Sequence, residues 1–208
     1  MITTNTIAAL PDHNFLSDPL WQRLFHAYRH VITPLRYAGW VTDLETCGGQ
    51  YHVRADLGDG TELIIASTDG LPADPAEVNG WHALRQHTQN PDRHTVLYDS
   101  TPNGPQRHHG NSLIPLFARI DGIDAPRRAP HLIVSATHTS PYGANHNQTA
   151  GIEGPATAVA RFSEWSKRLT DHEGYRRVWQ RSERDGYPLA LFESAGHITT
   201  VRVTASDG

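Results

Sequence analysis

Apolar residues recur along the first third of the chain with two different periods, and the change of period predicts its first elements. Leu20, Trp21, Leu24, Tyr28, Val31 and Ile32 fall at helical spacing behind Ser17-Asp18-Pro19, an N-cap followed by a first-turn proline. A helix is therefore predicted over about 18–32, stopping before Pro34. Segments 36–44 and 50–57 read as strands. Gly58-Asp59-Gly60 is a hairpin turn signal, and Thr61 to Ser67 reads as a third strand completing an antiparallel meander.

Leu71-Pro-Ala-Asp-Pro75 breaks the pattern. Beyond it Ala76 to Gln86 can place Val78, Trp81, His82 and Arg85 on one side of a helix, and His94 to Asp99 alternates as a short strand. Asn111 can cap a helix over 112–120, and His131 to Ala136 reads as a strand. Thr137 to Gly154 reads as a long polar loop. A second regular block follows: a helix from Pro155 to Leu169, then strands over 176–181, 188–194 and 198–204.

The two blocks share an order, one helix and then three strands. Trp40 and Trp179 fall in the predicted first strands, Tyr51 and Tyr187 open the second, and Gly60 and Gly196 precede the third, so 18–67 is compared with 156–206 as an internal duplication. The expected fold class is α+β, with antiparallel meander sheets packed with helices in two pseudo-repeated helix-plus-three-strand lobes. The expected organisation is a flexible N-terminal arm over 1–17, an α+β lobe over 18–121, an irregular polar loop region over 122–154, and a second lobe over 155–208 packed with the first as one domain.

Composition narrows the partners. A formal charge of −4 gives no global attraction for phosphate backbones or anionic lipids, although protonation of all 14 histidines would carry it from −4 to +10. One cysteine, Cys47, excludes an intramolecular disulfide and any zinc site needing two thiolates. The start lacks a basic and apolar leader pattern, and no apolar run reaches about 18 residues, so the expectation is a cytoplasmic protein without a membrane partner. Lys167 is the one lysine beside 17 arginines.

No dinucleotide or phosphate-loop glycine pattern and no Gly-x-Ser-x-Gly elbow occurs, so no cofactor is expected. Histidine is the remaining chemical resource. His108, His109, His138 and His146 fall in or near predicted loops, with Asp99, Asp121 and Asp124 as nearby oxygen donors, and they define the alternative of a metal-dependent hydrolase or nuclease. Over about nine residues the run His108-His-Gly-Asn-Ser-Leu-Ile-Pro-Leu116 resembles His-Asn-His nucleases. It departs from them in the short step from His109 to Asn111 and in lacking a third histidine just after Leu116. Cys47 near His52 is a candidate nucleophile pair.

With neither a paired carboxylate nor a cofactor motif, the leading expectation is a non-catalytic binding or interaction protein. It would use a sheet face or the 121–154 loop to contact an unidentified protein or nucleic acid. Trp40, Tyr51, Trp179, Tyr187 and Arg177 are the expected contact residues, because aromatics with arginines on a sheet can also stack single-stranded bases. The arginine groups Arg127-Arg128 and Arg176, Arg177, Arg181 and Arg184 belong to that reading, and assembly with further copies is a further expectation.

Overall fold

The computed structural model describes residues 7–47, 49–126, 130–182 and 186–206. After a 3-10 turn over Asn14–Ser17 come α1 (Pro19–Ala27) and α2 (Arg29–Tyr37), then β1 (Thr42–Cys47), β2 (Gln50–Asp56), β3 (Thr61–Ala66), β4 (His82–His87) and β5 (Asn90–Asp99). α3 (Leu113–Asp121) leads to β6 (Leu132–Thr139) and β7 (Asn145–Glu153). The chain then runs through α4 (Pro155–Asp171) to β8 (Arg176–Gln180), β9 (Leu189–Ser194) and β10 (His197–Ala205). The fold is α+β, with two five-stranded antiparallel sheets ordered β1-β2-β3-β4-β5 and β7-β6-β10-β9-β8. None of the described helices is long and apolar enough to cross a membrane.

Helices α2, α3 and α4 lie between the sheets, and α1 lies at the β1 edge of the first. Tyr28, Val31, Ile32 and Leu35 meet Val53, Ala55, Leu63, Ile65 and Ala83 of the first sheet, and Leu116, Phe117 and Ile120 of α3 close this first core. A second core joins Leu132, Val134, Ala136, Ala190, Phe192, Val201 and Val203 to Phe162, Trp165 and Leu169 of α4. α4 packs against α2 and α3 as well as β6 and β10, and it places Ala156 and Ala160 in the first core but Ala158 in the second. Small residues on one side let three helices approach closely, while the large residues opposite fill the space over the sheet.

The duplication suggested by the order of elements fits the two sheets, and the fit extends beyond three strands. Read as β8-β9-β10-β6-β7, the second sheet repeats the first, with α4 leading into β8 as α2 leads into β1. The last two strands of this unit precede its helix in sequence, so the strand order of the second sheet matches that of the first with its connections circularly permuted.

Several predicted elements change. The helix predicted to stop before Pro34 breaks at Tyr28 and resumes through Pro34 to Tyr37, and the predicted strand from Arg36 begins only at Thr42. Pro34 removes one helical hydrogen bond, but burial of Val31, Ile32, Leu35 and Tyr37 outweighs that loss, at about 1.5–3 kcal/mol for each large apolar side chain. The helix predicted over 76–86 is a 3-10 turn over Pro75–Glu77 and then β4, paired with both β3 and β5. Trp81 N–H donates to Ser100 Oγ (2.9 Å), and a Cβ on Gly80 would lie 2.2 Å from the Ser100 carbonyl oxygen, so glycine alone lets these backbones meet. The region expected to be irregular over 122–154 contains the β6–β7 hairpin, which supplies two strands to the second sheet.

Candidate binding surface

Each sheet covers its core with one face and turns the other outward. On the first sheet the outward face combines an ionic network on β1–β4 with an aliphatic row, Ile64, Leu84 and the 51% exposed Val96, in register with Arg54. Arg54 on β2 bridges Glu45 on β1 and Glu62 on β3, and Gln86 on β4 donates to Glu62 (2.8 Å). Glu62 is 6% exposed, so this network buries a charge and satisfies it on both sides. The His52 ring 3.7 Å away and the Arg54 guanidinium hold the Glu45 carboxyl down to about 2, against the opposing effect of burial. Matching donors and acceptors leave this face little unmet bonding capacity.

A groove of about 710 Å³ opens at its edge, where Phe15, Trp21 and Val41 stand over Asp43, Glu45 and Arg54. Its floor is also internally paired. Asp43 accepts hydrogen bonds from the Trp21 indole (2.9 Å) and the Leu44 N–H (2.7 Å), and His13 lies 2.9 Å from it. The groove binds α1 to β1.

The outward face of the second sheet is chemically different. Register aligns Trp179, Leu191, Thr200, Thr137 and Asn147 in one row across all five strands. Beside it run Arg176, Glu193, Ile198, Thr139 and Asn145, and on the other side Leu189, Arg202, Ser135 and Thr149. The central row carries no charge. Trp179 is 47% exposed and Ile198 49%, and Ile152 on β7 is 65% exposed. Of the flanking charges, Arg176 pairs with Glu193 (3.3 Å) and Arg202 donates to Ser135 Oγ (3.2 Å). An uncharged, partly apolar row flanked by charges is the arrangement of an interface centre and its rim.

Only part of the expected contact set lies there. Trp40 precedes β1, is 2% exposed and donates its indole N–H to the Pro126 carbonyl (2.9 Å), so it is a core residue tying the loop after α3 to the first lobe. Tyr51 packs against the first core. Tyr187 packs on the second core and stacks on Tyr37 at 6.4 Å, where burial pushes its hydroxyl pKa up. Arg177 lies opposite Phe192, on the face turned toward α4, and donates to Gln180 (2.7 Å). A register shift between Arg177 and Trp179 puts those two side chains on opposite faces. Trp179 alone of the five stands on the open face. Leu191, Ile198, Thr200 and Thr137 join it, and one signal in the sequence marks Ile198. Along β10 the core takes Val201 and Val203, so an isoleucine at 198 sits on the outward parity.

The histidines form two separate pairs. His108 and His109 lie in a 3-10 turn after β5, and the Tyr98 hydroxyl is 3.0 Å from His109 Nδ1 with the two rings stacked. His138 and His146 stack across β6 and β7 at 6.2 Å, with His138 Nδ1 2.8 Å from Thr199 Oγ1. Asp121, an expected oxygen donor, instead accepts from the N–H groups of Ala156 (3.3 Å) and Thr157 (2.8 Å) and from the Thr157 hydroxyl (2.6 Å). Among the described residues no group of three or more His, Cys, Asp or Glu is arranged to hold a metal ion. Cys47 ends β1 opposite Gln50, while His52 lies opposite Glu45. Arg127, Arg128 and Arg184 lie outside the described residues.

Comparison with known protein families, curated proteins and solved structures finds no match to this chain.

Proposed function

We propose that this chain is a non-catalytic binding protein that docks a protein partner on the outward face of its second sheet. The supporting observation is the contrast between the two outward faces. One carries the Glu45–Arg54–Glu62–Gln86 network beside the aliphatic row Ile64, Leu84 and Val96, whereas the other exposes the uncharged row from Trp179 to Asn147, which includes an indole, with Ile198 alongside. A tryptophan in an uncharged row is suited to anchor an interface, because its large ring gains much from desolvation and loses little side-chain entropy. A protein surface fits this face better than a nucleic acid strand. One aromatic gives a single stacking position, Arg176 is offset by Glu193, and the chain carries a formal charge of −4.

The test is affinity capture from extracts of the producing cell with three immobilised forms: wild type, Trp179→Glu and Thr200→Lys. A partner held by wild type and lost by both variants, each melting as wild type does, is the expected result. Equal capture by all three forms would refute docking on this face.

A further inference from the structure

The four edges of the two sheets are not treated alike. β1 is overlaid by α1 through the Trp21–Asp43 contact. β5 carries Pro91, Asp92 and Arg93 and has two register shifts along its length. β8 is five residues long, carries Arg176 and Arg177, and is interrupted by a shift. Coverage, proline, charge and bulges are the means by which sheet edges avoid joining other chains. β7 lacks most of them. Ser140 to Ile152 contains no Asp, Glu, Lys or Arg, and no proline follows Pro141. The strand is regular opposite β6 from Asn145 to Thr149, and among the described residues it pairs with β6 alone.

We infer that β7 is a self-pairing edge and that its occupant is β7 of a second copy, joined antiparallel about a two-fold axis at Asn147. This goes beyond the docking face and does not depend on Trp179. The regular segment Asn145-His-Asn-Gln-Thr149 is centred on Asn147, so a two-fold there uses all five residues. Asn147 then faces its own copy, His146 faces Gln148, and Asn145 faces Thr149. Each pair can exchange side-chain hydrogen bonds, and no carboxylate or guanidinium meets its like. Backbone N–H and C=O groups on the free side of β7 gain partners, and the two second sheets become one ten-stranded sheet. The central row from Trp179 to Asn147 then runs on into the same row of the second copy. With no Asp, Glu, Lys or Arg from Ser140 to Ile152, β7 meets an identical strand without like-charge repulsion and with matched amide and hydroxyl pairs, which is why the second copy is the assigned occupant.

Sedimentation of the full chain over a range from micromolar to near-millimolar reads the outcome. A mass rising from 23.1 kDa toward twice that value is expected, with Asn147→Lys, which sets two ammonium groups together at the axis, remaining at 23.1 kDa while melting as wild type does. Register is read independently in a Cys47→Ser background with a short bis-maleimide. Asn147→Cys should be linked to its own copy, and Val96→Cys on the β5 edge should not. A mass of 23.1 kDa at every concentration overturns the inference, as does a dimer that Asn147→Lys leaves intact or one linked through Val96→Cys.

Discussion

Among the 14 histidines, His30 is one whose surroundings change its protonation. It sits on α2 between Tyr28 (5.8 Å) and Trp81 (6.2 Å), with Nδ1–H donating to the Ala27 carbonyl (3.0 Å). Burial first, and then the Lys167 ammonium on α4, lower its pKa below the ordinary 6.5, and the bond to Ala27 only partly opposes them. The unfolded chain therefore takes up this proton before the folded one does. Stability from the neutral ring is fully present above 6.5 and is lost as pH falls through that value toward the lower folded pKa. Glu45 acts in the same sense in a separate window, between its ordinary 4.5 and about 2. The urea midpoint should therefore drop as pH falls below the ordinary imidazole value of 6.5, and His30→Phe, which keeps a ring against Trp81, should flatten that drop. An unchanged slope in His30→Phe would assign the sensitivity to other histidines.

At the scale of elements, the clearest device is the capping of α4 from outside its own sequence. Gly154 occupies the N-cap without a side chain, and a Cβ there would lie 2.2 Å from the Asp121 carboxyl carbon, so glycine makes room for that carboxylate. Asp121, the last residue of α3, supplies the missing acceptor to Ala156 and Thr157 and sets a negative charge at the positive end of the α4 dipole. Asp121→Ala should lose about 1–2 kcal/mol in urea denaturation, and Asp121→Asn, which keeps an acceptor but not the charge, about half as much. An Asp121→Ala variant as stable as wild type would show that water replaces the cap. This pairing was not legible in the sequence, where Asp121 reads as a candidate oxygen donor and Gly154 as the end of a polar loop. Its meaning comes from the packing of α3 on α4. The same limit explains β4: His82-Ala-Leu-Arg-Gln-His87 has no β-branched residue, and its strand conformation comes from pairing on both sides. β7 was hidden because polar Asn, Gln and Thr on an outward face lack the apolar alternation that marks a half-buried strand, whereas the apolar start of β6 was read as a strand over 131–136. Elements whose apolar period faces a core, such as α4, β2, β3 and β10, were legible, and so was Trp179 as a candidate. The row that makes Trp179 part of a surface required the register.

The whole molecule is two copies of one architecture held together by a helix that belongs to both. α4 gives Ala156 and Ala160 to the first core and Ala158, Phe162, Trp165 and Leu169 to the second. The Tyr37 hydroxyl donates to the Gly186 carbonyl (2.9 Å), and Tyr37 stacks on Tyr187. Freeing either sheet would expose one side of α4, so neither lobe has a complete core alone, and the lobes should open together despite their pseudo-repeated design. Native-state hydrogen exchange can separate the alternatives, because β3 and β10 lie at the centres of different sheets. The slowest amides of Thr61–Ala66 and of His197–Ala205 should report the same opening free energy, and Asp121→Ala should lower both by the same amount. If the lobes opened independently, Asp121→Ala would accelerate exchange in β10 while leaving β3 at its wild-type rate, since the cap it removes belongs to the helix that covers the second sheet.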